Sequence, residues 1–136
     1  MALDFRDVKP GSEWDRKELA KLWGYRSFHA IGRGVVTPRG GSQIVLFVTE
    51  EKQNSATQYD DRLNGSVLHW EGEEGHQNDR RIIAAERNGD AIHIFYRKRH
   101  HQRFIYLGLG RAERSTLFDD RPSKFVFRVD AVSRRS

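Results

Sequence analysis

The sequence contains no cysteine, which excludes disulfide scaffolds, thiolate zinc sites, iron–sulfur clusters and thiol nucleophiles. No apolar run approaches the roughly 18 residues of a membrane-spanning helix. The opening MALDFRDVKPGSEWD has neither the charged-then-apolar layout of a signal peptide nor the acid-poor, Arg/Ser-rich look of a transit peptide, so a soluble, cytoplasmic protein is expected. The six histidines (29, 69, 76, 93, 100 and 101) form no His-x3-His pair and no HNH-like segment. Gly108-Leu109-Gly110-Arg111 and Arg33-Gly34 lack the spacing and the Lys-Ser/Thr of a phosphate loop. No catalytic residue, metal or cofactor is expected. No repeat and no low-complexity tract is present, and 136 residues at 15.9 kDa suit one domain over residues 1–136.

Fifteen aromatic residues (8 Phe, 4 Tyr, 3 Trp) allow a small, ring-rich core. The formal charge is +5, and the sequence pI of about 9.8 is compatible with a polyanionic partner. The excess is C-terminal. Residues 1–30 carry 6 basic and 5 acidic side chains, residues 31–96 carry 7 and 10, and residues 97–136 carry 11 and 4. The sharpest concentration is Arg97-Lys98-Arg99-His100-His101-Gln102-Arg103, between two apolar segments. Such a hairpin tip suits contact with DNA phosphates through Arg97, Lys98, Arg99 and Arg103, joined by Arg33 and Arg39; a solvated loop is the alternative.

Ser12-Glu13-Trp14-Asp15 reads as a helix start, followed by Leu19, Leu22 and Trp23 at near-helical spacing and a stop at Gly24. Residues 25–32 suit a second short helix, which gives a helical N-terminal element over 12–32. It reads either as helices plugging a sheet through Trp14, Leu22, Trp23 and Phe28, or as a helix–turn–helix regulator using Lys17, Lys21, Arg26 and Arg33. From 33 to 130 the pattern is β. Strands are expected at Val35-Val36, 43–49, 67–70, 91–96 after the turn Asn88-Gly89-Asp90, 104–107 and 124–129, and a basic tail at 131–136. The expected fold is α+β, N-terminal helices on a curled antiparallel sheet or small barrel.

Two long polar connections interrupt the strands, residues 50–65 and 71–80, and long loops often carry function. The first holds Thr57, Tyr59, Asp60 and Asp61; His69 and Trp70 close the next strand. An aromatic ring and a carboxylate suit a flipped cytosine, which needs a stacking surface and an acceptor for its exocyclic amine. Composition by itself favours the alternative, in which Tyr59 packs on the barrel and Asp60 or Asp61 caps a turn. Glu50-Glu51-Lys52 contains the Glu-x-Lys half of a PD-(D/E)xK nuclease, but no preceding acid from a neighbouring strand completes it.

The ordered series Phe47-Val48-Thr49…Lys52, Ser55-x-Thr57-x-Tyr59-x-Asp61, Leu68-His69-Trp70, Ile92-His93-Ile94-Phe95-Tyr96-Arg97 and Phe104-Ile105-Tyr106-Leu107-Gly108 resembles the domain of formerly unknown function found C-terminal to helicases. It also resembles modules attached to HNH nucleases in modification-dependent (type IV) restriction systems, and through them the SRA domains of the PUA-like β-barrels. The resemblance covers roughly residues 18–128. It implies a non-enzymatic reader of modified double-stranded DNA, such as 5-methylcytosine, with base flipping into a pocket of Thr57, Tyr59, Asp60, Asp61, His69 and Trp70. A nuclease or helicase domain in cis or in trans is the implied partner, the chain being an excised domain or a stand-alone reader. A reader of altered backbone is the further alternative.

Overall fold

Runs of β-branched and aromatic residues become strands because such side chains pack well on a pleated, half-buried surface. The computed structural model of the chain describes residues 3–38, 40–51, 61–72 and 76–129. Its strands are β1 (Glu13–Trp14), β2 (Val35–Val36), β3 (Gln43–Glu51), β4 (Arg62–Asn64), β5 (Val67–Glu71), β6 (Ala91–Arg99), β7 (Phe104–Thr116) and β8 (Lys124–Val129). They form one sheet in the order β2-β3-β6-β7-β8-β5-β4, with β1 alongside β7. Pairings are antiparallel except β3 with β6, which run parallel from Gln43↔Ala91 to Glu51↔Arg99. The expectation of antiparallel pairing throughout fails at this one pair. The chain leaves β3, builds β4 and β5, and returns through helices α2 (Asp79–Ile83) and α3 (Ala85–Asn88), a crossover long enough to deliver a parallel neighbour.

The sheet is strongly curled. Strand β7 pairs with β6 through its first half and with β8 through its second. A register shift between Ile94 and Phe95 and another between Ala112 and Arg114 bend it, and Gly108 supplies a positive φ of 97° at the first bend. Among the described residues the sheet remains open. Its ends are tied by a side chain instead: the Leu63 backbone N–H on β4 donates to Glu50 Oε1 at the end of β3, at 3.1 Å.

Alternation along the strands divides the core into two clusters. The inner cluster lies inside the curl and joins Ile44, Leu46 and Val48 of β3 to Ile94, Leu68, Trp70, Phe125 and Phe127. Helices α2 and α3 close it with Ile82 and Ala85. The 71–80 connection read as a polar loop thus ends in helix at Asp79; the i, i+3 spacing of Ile82 and Ala85 was the available signal.

The outer cluster sets Phe47, Phe95, Phe104 and Tyr106 against Leu19, Trp23 and Ile31 of the N-terminal arm. Helix α1 (Arg16–Leu22) starts at Asp15, whose carboxylate accepts from the Glu18 N–H at 2.7 Å while Glu18 Oε1 accepts from the Asp15 N–H at 2.9 Å. Trp14, expected in the helix, belongs to β1. A 3-10 helix (Phe28–Ile31) follows. The helix–turn–helix reading is therefore corrected. Its second helix is a single four-residue 3-10 turn whose Ile31 is fully buried on the sheet, so nothing of recognition-helix length projects outward. Among the described residues no helix is long and apolar enough to cross a membrane.

Candidate nucleic-acid interface

The polar residues singled out from the sequence fall at two places. The first is the corner where β4 meets β5. Arg62 pairs with His69, so Asp61 lies one position beyond the ladder, opposite Trp70. Asp61 is 6% exposed, and its Oδ1 accepts from the Glu71 N–H at 2.9 Å. Trp70 is 5% exposed and packs on Phe125 and Phe127, with ring centroids 5.5 and 6.0 Å apart. It is a core ring rather than a free stacking wall. His69 is half-buried on the opposite face of β5. A cleft of about 270 Å³ opens between β5, β7 and β8, lined by His69, Trp70, Glu71, Arg114, Thr116 and Lys124; Asp61 lies outside its lining. Thr57, Tyr59 and Asp60 lie outside the described residues, as do Arg39 and Lys52.

The second place is the β6–β7 hairpin tip. His101 there takes a positive φ of 77°, and the Gln102 side chain accepts from the Arg99 N–H at 3.0 Å. The basic residues of the tip are tied to acids. Lys98 Nζ is 3.3 Å from Glu50 Oε2, Arg99 Nε donates to Glu51 Oε2 at 3.1 Å, and Arg103 Nη2 lies 2.7 Å from Glu18 Oε1. Arg97 differs. It donates to Thr49 Oγ1 at 2.8 Å and to the Gln102 carbonyl at 3.2 Å, and its guanidinium lies 4.2 Å from the centre of the Phe104 ring. Arg33 is exposed at the entry to β2.

Glu50 joins the two places, a role the sequence did not suggest. Its Oε1 accepts from the Leu63 N–H and from the Tyr96 hydroxyl at 2.9 Å, and its Oε2 faces Lys98. Burial pushes this carboxyl up, but the Leu63 N–H, the Tyr96 hydroxyl and Lys98 outweigh it and hold it below the usual carboxylate range. The Tyr96 hydroxyl is pushed up by burial and by Glu50. The Glu50 of the nuclease reading is therefore committed to a structural knot. Among the described residues no three His, Asp or Glu side chains gather as a metal set.

One further cluster escaped the sequence reading. His76 Nδ1 meets Asp79 Oδ2 at 2.8 Å and Ser123 Oγ at 3.3 Å. A nucleophilic relay needs the acid and the serine on opposite ring nitrogens, whereas here both approach Nδ1. The cluster anchors the start of β8 to α2.

Solved structures with this architecture include SRA domains. The chain aligns with the SUVH5 SRA domain in complex with fully methylated CG DNA at a TM-score of 0.61 and 15% identity, over 94% of this chain and 93% of that one. The same domain bound to fully hydroxymethylated CG DNA gives 0.62 and 17%, over 94% and 93%. The DNA modification-dependent restriction endonuclease AspBHI aligns at 0.53 and 16%, over 87% of this chain and 71% of that one. The fold is SRA-like, a curled sheet with flanking helices. Within that class the chain belongs to DUF3427, a domain of unknown function whose family model matches residues 8–126. No curated protein sequence matches it.

Proposed function

We propose that this domain binds double-stranded DNA and reads a modified base, 5-methylcytosine or a close relative, as the specificity module of a modification-dependent restriction system. The observation that carries this is the buried Asp61 carboxylate, aimed by the Glu71 N–H beside Trp70 within an SRA-like curl. Its support from relatives is that SUVH5 SRA was solved with methylated and hydroxymethylated DNA and that AspBHI is a modification-dependent endonuclease.

In this reading a base leaves the duplex and Tyr59 stacks on it. Asp61, with Asp60 beside it in sequence, accepts from the exocyclic amine, which cytosine presents as a donor. Trp70 and Phe125 form the apolar floor, His69 stands at the rim, and Thr57 is assigned to the same pocket. Arg33, Arg39, Arg97, Lys98, Arg99 and Arg103 supply phosphate contacts, the exposed pairs of Arg99 and Arg103 exchanging carboxylate for phosphate at small cost because such pairs contribute ~0–1 kcal/mol. No catalytic group is assigned. Cleavage or unwinding belongs to a nuclease or helicase domain acting in cis or in trans.

The test is competitive binding at near-physiological salt to one duplex prepared unmodified, 5-methylcytosine-modified, 5-hydroxymethylcytosine-modified and phosphorothioated. A preference for a modified base is expected, and Tyr59→Ala should abolish it. Preference for the phosphorothioate would move recognition to the backbone. Equal binding to all four would refute a modification reader.

A further inference from the structure

Three arginines are half-buried among the described residues: Arg16, Arg81 and Arg97. Arg81 has an acid, Asp90, at 3.3 Å. Arg16 and Arg97 have no carboxylate within ion-pair distance among the described residues. Arg16 Nε donates to the Ile31 carbonyl at 3.1 Å, and its Nη2 lies 3.4 Å from the Arg33 carbonyl. Its guanidinium lies 4.7 and 5.0 Å from the centres of the Phe47 and Phe104 rings. Phe104 thus carries both cations. Ring stacking and carbonyls hold two like charges on one ring, an arrangement that costs free energy unless an anion completes it.

The neighbours make the deficit plain. Burial and the charge of Arg97 hold Arg16 down to about 10, and burial lowers Arg97 as well. His100 is held below its ordinary value by desolvation and by the charges of His101, Arg97 and Arg16. All the other tip cations named above have an acid: Lys98 has Glu50, Arg99 has Glu51 and Arg103 has Glu18. Of the half-buried positive charge at this end of the sheet, that on Arg16 and Arg97 has no carboxylate partner among the described residues. Each guanidinium has five N–H donors, of which two are engaged, so the pair keeps a fork-like surplus suited to a tetrahedral oxyanion.

We propose that Arg16 and Arg97 together form the seat for one phosphodiester of the bound duplex, so that the N-terminal arm, and not the exposed ring of the hairpin alone, fixes the DNA against the sheet. The assignment rests on the DNA-binding reading above and adds Arg16, a residue that composition and motif did not single out.

The experiment measures the affinity of methylated and unmethylated duplexes against salt concentration for wild type, Arg16→Gln, Arg97→Gln, the double variant and the control Arg121→Gln. Arg16→Gln and Arg97→Gln should each weaken both duplexes alike, by about tenfold, and the double variant should lower the log–log salt slope by about 0.9, the increment for one phosphate. Arg121→Gln should change affinity less than about twofold, as expected for an exposed charge that pairs with Asp120 at 3.6 Å and is assigned no phosphate. A double variant with wild-type affinity and slope overturns the seat while leaving a modified-base preference standing. Loss of the slope increment in a protein that shows no such preference keeps the seat and sinks the base-reading account; a wild-type chain that binds neither duplex overturns both. Should the variants not fold, arginine Nε–Hε signals of the wild type are followed during titration with inorganic phosphate. Arg16 and Arg97 should shift together and ahead of Arg99 and Arg103; the reverse order, or no shift, overturns the seat.

Discussion

Strands β3 and β6 run side by side and present two faces that end in opposite chemistry. On the inner face, Ile44, Leu46 and Val48 lead to Glu50, and Ile92 and Ile94 lead to Tyr96 and Lys98. The row ends in a knot where one carboxylate is satisfied by three donors and bound to the edge strand that follows Asp61. On the outer face, Val45 and Phe47 lead to Thr49, and His93 and Phe95 lead to Arg97. That row reaches Arg97, which stacks on Phe104 and has no carboxylate within ion-pair distance among the described residues, before it closes on the exposed Arg99–Glu51 pair. One residue of register separates the two chemistries. The lesson is that local charge density and available charge differ: the run from Arg97 to Arg103 is the most basic segment, yet most of it is neutralised within the fold.

The largest expected effect tests whether Trp70 is floor or wall. Trp70→Ala should destabilise the domain by about 3–5 kcal/mol in denaturant unfolding, because it opens a cavity against Phe125 and Phe127. A change below about 1 kcal/mol would mean that the ring is not part of the inner core.

On the outer face, burial holds His93 down to about 4, and its Nδ1 meets the Tyr106 hydroxyl at 2.7 Å. The unfolded chain takes up this proton near pH 6.5 and the folded one only near 4, so stability should fall as pH drops through that window, by on the order of 3 kcal/mol. The double variant His93→Phe/Tyr106→Phe should flatten that limb of the stability profile; an unchanged limb would show that His93 takes up its proton in the fold.

Asp61→Ala leaves the Glu71 N–H without its acceptor and should cost about 1–3 kcal/mol of stability. Glu50→Gln addresses the knot. The lowered carboxyl of Glu50 contributes stability that is fully present above the ordinary range near pH 4.5 and lost as pH falls through its own lower value. The glutamine variant should therefore be less stable at neutral pH and should lose less on acidification. The smallest effect belongs to Arg99→Gln, expected within about 0.5 kcal/mol of wild type because its pair with Glu51 is exposed. A larger loss would show that the tip pairs brace the hairpin.

Much of the fold was legible because strands carry a local signal. The β-branched run at 43–49, the alternation of Phe125, Phe127 and Val129, and the hairpin around the basic tip all appear where the sequence puts them. Parallel pairing of β3 with β6 was not legible, since it depends on a crossover whose helices were read as loop. The site was legible in part. Asp61 beside Trp70 follows from two adjacent short strands, and the comparisons bear out the SRA-like resemblance. Arg16 was invisible because its partners, Phe47 and Phe104, are separated from it by long stretches of chain and only the sheet brings them under one helix.

The most direct test of the central claim is the ratio of affinities for methylated and unmethylated copies of one duplex at about 150 mM salt, for wild type and Asp61→Ala. The account predicts a wild-type preference of about 5- to 150-fold, the equivalent of 1–3 kcal/mol of base readout, and a ratio near one for Asp61→Ala at a concentration where it is folded. Equal affinities in the wild type, or an undiminished ratio in Asp61→Ala, would contradict it.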